Sequence, residues 1–294
     1  MNVLQIISIT KKYESRIVLN DVSTTIVNGI TGIIGPNGSG KSTLLKIITG
    51  LLSPDNGTLF YNEKRINLQS MEWRVKIGYL PQEPGLYERM TAYEYLDYLL
   101  ILSKWKNKQS RKERINALME KLNFVPFGDY IIKDLSGGIR QKVAIAQALI
   151  HDPLIILFDE PTNNLDTEER NRIHDYLLEI SKEKIILFIG HIIDELSRLC
   201  SRILVLDKGE LKYNGKPAEL IEQQRDFVKE IRVPFENNHQ TLKESLKILN
   251  IGQNGNELIV HFDSRFNDHS KSCLIKPTLS EAYQSLFFSN QITR

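Results

Sequence analysis

The spacing of apolar residues changes character along this chain. Val3 to Ile9 and Val18 to Val27 are apolar runs broken by polar residues, which predicts two strands of an antiparallel section. Gly32-Ile33-Ile34 is a short apolar run suited to a buried strand. Thr43-Leu44-Leu45-Lys46-Ile47-Ile48 follows with helical spacing that ends at Gly50. Aromatic and leucine residues recur at helical spacing from Thr91 to Leu102, and Arg111 to Phe124 repeats the pattern with charged residues on the other face. A helical insert over roughly Pro84 to Lys133 is therefore expected. A further helix, Ile139 to Leu149, precedes three strongly apolar strands at Leu154 to Phe158, Ile185 to Ile189 and Ile203 to Leu206. Each is bounded by polar or helical sequence, as in a parallel sheet covered on both faces. Past residue 216, Leu242 to Leu249 has helical spacing and Glu257 to Phe262 reads as a strand. Thr278-Leu279-Ser280-Glu281 fits a capping box that opens a helix toward Phe288. The fold class expected is α/β, with an antiparallel β section, a helical insert and a small C-terminal α+β appendage.

Composition narrows the function classes. A chain of 294 residues accommodates one large domain, or one domain with a smaller appendage. Its 41% hydrophobic and 25% charged content matches soluble globular proteins and excludes a disordered chain. The net charge of +2 gives no electrostatic reason to expect a nucleic-acid partner. No run approaches the roughly 18 consecutive apolar residues of a membrane span, and the start lacks a basic segment followed by an apolar core. A cytoplasmic protein is expected. Cys200 and Cys273 lack metal-ligand spacing and read as free thiols.

Residues 35–42, Gly-Pro-Asn-Gly-Ser-Gly-Lys-Ser, satisfy G-x-x-x-x-G-K-[ST] through Gly35, Gly40, Lys41 and Ser42. The strand before and the helix after supply the context this motif needs. Pro36, Asn37, Gly38, Ser39 and Thr43 complete a loop whose glycines allow positive φ and turn successive N–H groups toward phosphate oxygens. The helix N-terminus adds partial positive charge. Lys41 would reach the β and γ phosphates, and the Ser42 hydroxyl would ligate Mg²⁺. At Leu154 to Glu160, an apolar strand delivers Asp159-Glu160 to its C-terminal end, beside the phosphates. Asp159 suits holding Mg²⁺ through water, and Glu160 suits polarising the water that attacks the γ phosphate. Without the glycine loop, the same two acids would read as a solvated turn. His191 follows the strand Ile185 to Ile189 and belongs at the same edge, where a neutral imidazole would hydrogen-bond phosphate and water. In Leu135 to Gln141, Ser136, Gly137 and Gly138 at a helix start form an anion site, or equally an ordinary helix cap and turn.

Taken together, these segments resemble the nucleotide-binding subunit of an ATP-binding cassette (ABC) transporter, over about residues 1–215. Gly35 to Ser42 is similar to that family's Walker A loop, Leu154 to Glu160 to its Walker B strand, Leu135 to Gln141 to its signature and His191 to its switch histidine. Gln82 resembles the Q-loop glutamine, which contacts Mg²⁺ or water, Asn164-Leu165-Asp166 the D-loop, and Tyr13 the aromatic that stacks on adenine. The resemblance implies a P-loop NTPase of ABC type that binds ATP and Mg²⁺. It also implies a head-to-tail dimer with a second copy, in which Ser136, Gly137 and Gly138 meet the γ phosphate held by the opposite subunit. The helical insert would then receive a membrane-spanning permease subunit, placing the chain peripherally on the inner face of the membrane. Residues 216–294 would form an accessory domain, and Pro277 to Leu286 is similar to the C-terminal ending of bacterial drug, peptide and antibiotic exporter ATPases.

Some positions depart from the family pattern. Ile139 stands in the signature where glutamine or methionine is more frequent, Asn163-Asn164 open the D-loop, and Gly190 precedes the histidine. None removes a catalytic group, so both sites of a homodimer are expected to hydrolyse ATP. Two other readings stay open: a soluble ABC-type ATPase of translation or repair, and a nucleotide-dependent sensing module. The chain has neither the tandem cassettes nor the long coiled coil of the former.

Overall fold

A computed structural model describes residues 1–190, 192–234, 246–255 and 257–292. The chain divides into two compact units, Met1–His191 with Leu199–Asn214, and Ile192–Arg198 with Gly215–Arg294.

In the first unit, β1 (Val3–Tyr13) and β2 (Arg16–Val27) pair antiparallel, and β1 pairs also with β4 (Asn56–Tyr61), whose outer edge carries the short β5 (Lys64–Arg65). The second sheet has the order β10-β9-β3-β8-β7-β6, with β3 at Gly29–Ile34, β6 at Ile77–Leu80 and β7 at Ile155–Asp159. Its remaining strands are β8 (Ile185–Ile189), β9 (Arg202–Asp207) and β10 (Glu210–Gly215). Pairing is parallel from β9 through β3, β8 and β7 to β6. Every residue of β7 and β8 is buried, which is why these strands read as unbroken apolar runs and not as alternating ones. The helix α1 (Lys41–Ile48) contributes Leu44, Leu45, Ile47 and Ile48 to one core shared with Leu4, Ile6 and Leu19 of the first sheet and Ile155, Leu187 and Leu204 of the second.

Strand order explains where a ligand belongs. After β3 the chain builds β6, β7 and β8 on one side and then places β9 on the other, so the order reverses at β3. Parallel α/β sheets open a crevice at the carboxyl ends of the strands where such a reversal occurs.

The helical insert holds α3 (Ala92–Leu102) and α4 (Lys108–Lys121), after the short α2 (Met71–Arg74). Thr91 caps α3 in a reciprocal box with Glu94, and Arg111 of α4 reaches both carboxylate oxygens of Asp97, at 2.6 and 3.4 Å. The helix α5 (Gly137–Leu149) is tied to the insert through a 2.5 Å bond from the Tyr95 hydroxyl to Gln147. The helix α6 is Thr167–Ile180.

The second unit contains α7 (Ile193–Leu199, all but its last residue), α8 (Pro217–Gln224) and a sheet of order β12-β13-β11-β14. These strands are β11 (Val228–Pro234), β12 (Lys247–Asn254), β13 (Glu257–Asp263) and β14 (Cys273–Leu274). The final helix α9 is Leu279–Ile292. Its capping box forms as the sequence predicts: the Thr278 N–H donates to Glu281 at 2.7 Å, and the Glu281 N–H to the Thr278 hydroxyl at 3.2 Å. Fully buried Asp263 takes two bonds from the Arg265 guanidinium, at 2.9 and 2.5 Å, one from the Arg265 N–H at 3.1 Å, and one from the Ser285 hydroxyl at 2.7 Å.

One expected element is corrected. The helical spacing at Leu242 to Leu249 does not give a helix over its described part, because Lys247 to Leu249 open β12. The pairing of β12 with β13 from Lys247 to Asn254 overrides the local period. Residues 242–245 lie outside the described residues.

The approach of β6 to α5 is close enough to test. A Cβ on Gly78 would stand 1.9 Å from the Ala148 carbonyl oxygen and 2.8 Å from a ring carbon of Pro153. Gly78→Ala is expected to cost about 2 kcal/mol through overpacking. Trp73 and Trp105, both in the first unit, report its urea midpoint by fluorescence; an unshifted midpoint contradicts the tight contact.

Candidate functional site

At the carboxyl end of β3 the chain turns through residues 35–40 into α1. Gly40 is the N-cap of α1 with φ of +105°, and a Cβ there would lie 2.6 Å from the Val18 carbonyl oxygen. Only glycine combines that backbone with that contact. The loop and its neighbours enclose a cavity of about 360 Å³ lined by Val18, Asn37 to Thr43, Gln82 and Glu160.

The strand register accounts for this convergence. Asp159 is level with Ile189 across β7 and β8, Ile189 is level with Ile33 across β8 and β3, and Leu80 is level with Phe158 across β6 and β7. Gln82 and Glu160 each lie two residues beyond that last pair. Their side chains meet: Gln82 Nε2 donates to Glu160 Oε2 at 3.3 Å. Asn163 Nδ2 donates to the same oxygen at 2.8 Å. Glu160 itself has φ of +58°, an unusual backbone for a residue with a long side chain.

Lys41 is buried and donates to the carbonyls of Gly35 and Pro36, at 2.8 and 2.9 Å. Burial holds its ammonium below the ordinary 10.5, against the pull of Asp159 and Glu160. Burial raises the Asp159 carboxyl, while its hydrogen bond with the Ser42 hydroxyl opposes the rise. The Tyr79 phenol is pushed up to about 12, by burial and then by the Asp159 charge. Two buried hydroxyls, Ser39 Oγ and Tyr79 Oη, find no hydrogen-bond partner among the described residues.

This donor set fits a hard divalent cation bound with a polyphosphate. Ser42, Asp159 and Gln82 offer oxygen ligands, and among the described residues no cluster of His, Cys, Asp and Glu would hold a metal by itself. Mg²⁺ is commonly bound in that way, through one or two protein oxygens plus phosphates and water.

Other sequence-predicted residues lie elsewhere. Ser136 caps α5 by accepting a 3.4 Å bond from the Ile139 N–H, and Ser136 and Gly137 are exposed. Ser136, Gly137 and Gly138 are not in the wall of the cavity. They adjoin the Asn164-Leu165-Asp166 turn instead: a Cβ on Gly138 would meet the Asn164 carbonyl at 3.4 Å, and Gln141 Nε2 donates to the Pro161 carbonyl at 2.7 Å. Tyr13 is 47% exposed, with the Lys11 ammonium 5.9 Å from its ring centroid. His191 lies outside the described residues. Sequence reasoning missed Val18 and Asn163 as site residues. Val18 reads only as a strand position; for Asn163 the signal was its departure from the family's usual D-loop.

An apolar parallel sheet with a phosphate-cradling loop, a lysine and two carboxyl groups at one edge defines an α/β nucleotide-hydrolysing protein. Comparison with known proteins makes this specific. The family model described as ABC transporter matches residues 19–163. The chain is 40% identical over 210 residues to the ABC transporter ATP-binding protein NatA of Bacillus subtilis, covering 70% of this chain and 85% of that one. It is 33% identical to the lipopolysaccharide export system ATP-binding protein LptB of Haemophilus influenzae, covering 76% and 95%. Among solved structures, the dimeric post-hydrolysis state of the ATP-binding cassette MJ0796 with ADP and Pi superimposes with a TM-score of 0.67 at 30% identity, covering 72% and 98%. The chain belongs to the ABC transporter family as an ATP-binding subunit, and its enzymatic class is that of the ABC ATPases.

The depressed Lys41 sets a pH dependence. A bound polyphosphate supplies opposing charge and moves the ammonium back toward 10.5, so between the free and bound values binding takes up a proton. Nucleotide affinity is therefore expected to fall as pH rises through that window. Titration calorimetry in buffers of different ionisation enthalpy checks the sign; net proton release on binding contradicts it.

Proposed function

We propose that this subunit dimerises on ATP and drives a separate membrane-spanning subunit, in the direction of export. The observation that carries the dimeric reading is the division of the expected phosphate ligands. Asn37 to Thr43, Gln82 and Glu160 line one cavity, whereas Ser136 and Gly137 are exposed outside it. An exposed hydroxyl and N–H groups at a helix start suit a phosphate brought by a second copy. The dimer of the similar cassette MJ0796 supports the same arrangement, and the similarity to LptB, named for an export system, supports the direction. Among the described residues no helix is long and apolar enough to cross a membrane, so a transport role calls for a permease partner, with this chain peripheral on the cytoplasmic face. Residues 1–215 act in this proposal as the ATPase domain, with 84–133 as the permease-facing insert, and 216–294 as an accessory domain.

Each residue has a task. Lys41 and the N–H groups of residues 37–43 hold the β and γ phosphates, and Tyr13 packs on the adenine. Ser42, Asp159 and Gln82 would hold Mg²⁺, which would offset charge on the phosphates. Glu160, kept in place by Gln82 and Asn163, orients and polarises the attacking water. For His191, the sequence resemblance alone supports a contact with the γ phosphate. Because each site needs a second copy, hydrolysis is tied to assembly.

Glu160→Gln is expected to keep ATP binding, to lower turnover by about 100-fold or more, and to accumulate an ATP-bound dimer visible by size-exclusion chromatography. A variant with normal turnover removes Glu160 from this role. For composition in trans, Lys41→Ala and Ser136→Arg chains are each expected to be inactive as homodimers. Mixed, they place both defects in one site and leave the other intact, restoring up to roughly a quarter of wild-type activity on random pairing. A mixture no more active than its components contradicts the shared site.

A further inference from the structure

The hairpin of β1 and β2 brings a cation to the phosphate loop. Tyr13 and Arg16 are direct cross-strand partners on either side of Glu14-Ser15, and Glu14 turns the chain with φ of +52°. Residues opposite each other in an antiparallel pair project to the same face, so Arg16 accompanies the aromatic ring assigned to the base. The guanidinium of Arg16 reaches the loop itself: its Nη2 lies 3.4 Å from the position of a Cβ on Gly38. The strand that carries it is fixed there, since Val18, two residues on, lines the cavity and its carbonyl oxygen abuts Gly40.

Among the described residues no charge balances Arg16. It forms no ion pair or side-chain hydrogen bond among the described residues. Asp55 accepts from the Lys11 ammonium and the Lys12 N–H, and Asp159 and Glu160 act on Lys41. A planar guanidinium beside a loop of phosphate-directed N–H groups has phosphate oxygen as its matching counter-charge.

We propose that Arg16 is a nucleotide ligand that binds the α and β phosphates of ATP from the solvent side of the loop. The assignment rests on the base lying at Tyr13. Glu160 and Gln82 mark the γ-phosphate end of the cavity, so a cation beside Tyr13 and Gly38 meets the phosphates nearer the base. It therefore serves ATP and ADP alike and acts on affinity, whereas Glu160 acts on the reaction.

The test is titration calorimetry of the full chain with MgATP and with MgADP. Arg16→Ala is expected to weaken both by the same factor, about tenfold, as for loss of one charged hydrogen-bonding group. Arg16→Lys retains part of the affinity, Arg16→Glu falls below Arg16→Ala, and the gap from wild type narrows as salt is raised. In steady state the change falls on KM. Wild-type affinity in Arg16→Ala and Arg16→Glu overturns the proposal, and loss for ATP with none for ADP overturns the phosphate assignment. An Arg16→Lys variant no better than alanine, with a lowered urea midpoint, shows a packing role and also overturns it. Tyr13→Ala separates the underlying reading: unchanged affinity there displaces the base from Tyr13, whatever Arg16 does.

Discussion

The strands β7 and β8 are buried along their whole length, and that constraint organises the rest of the molecule. A polar side chain inside these strands would lose water without a replacement partner, so the sheet can carry chemistry only where its strands end. Parallel pairing then puts those ends on one side. Because Asp159, Ile189 and Ile33 share a level, the loop after β3 and the acids after β7 have little freedom to be anywhere but together. Burial on that rim also bears on ionisation, holding the Lys41 ammonium below its ordinary value and raising the Asp159 carboxyl.

Much of this was legible because the decisive signals are local. A run such as Ile185 to Ile189 has no polar member, and the glycine loop works through backbone N–H groups that its own residues supply. Elements that depend on distant partners were harder to read. The strand β6 is four residues long and includes Gly78, too short to display a period, and it exists through pairing with β7. At Lys247 the sequence keeps a helical spacing that sheet pairing overrules. The same distinction holds in the site. Lys41, Ser42, Asp159 and Glu160 fall inside contiguous motifs, while Val18 reaches the cavity only because β2 passes beside Gly40.

The exposed turn at Ser136 is mechanically continuous with the acids of its own chain. Gln141 holds the Pro161 carbonyl, and buried Lys142 pairs with Glu169 while also donating to the Asn123 carbonyl at 3.2 Å. Pro161 directly follows Glu160, and Glu169 lies in the first turn of α6, whose N-cap is Asp166. A phosphate pressing on Ser136 would thus act on a body that includes the segment after Glu160. Under the proposed function, that body joins the residues offered to one phosphate site with the acids of the other.

The backbone at Glu160 has a different kind of consequence. Left-handed conformations favour glycine, asparagine and aspartate, and each of these is shorter than glutamate. With the role proposed for Glu160, the position holds a side chain that its own backbone disfavours, because the shorter residues do not carry a carboxylate to the same reach.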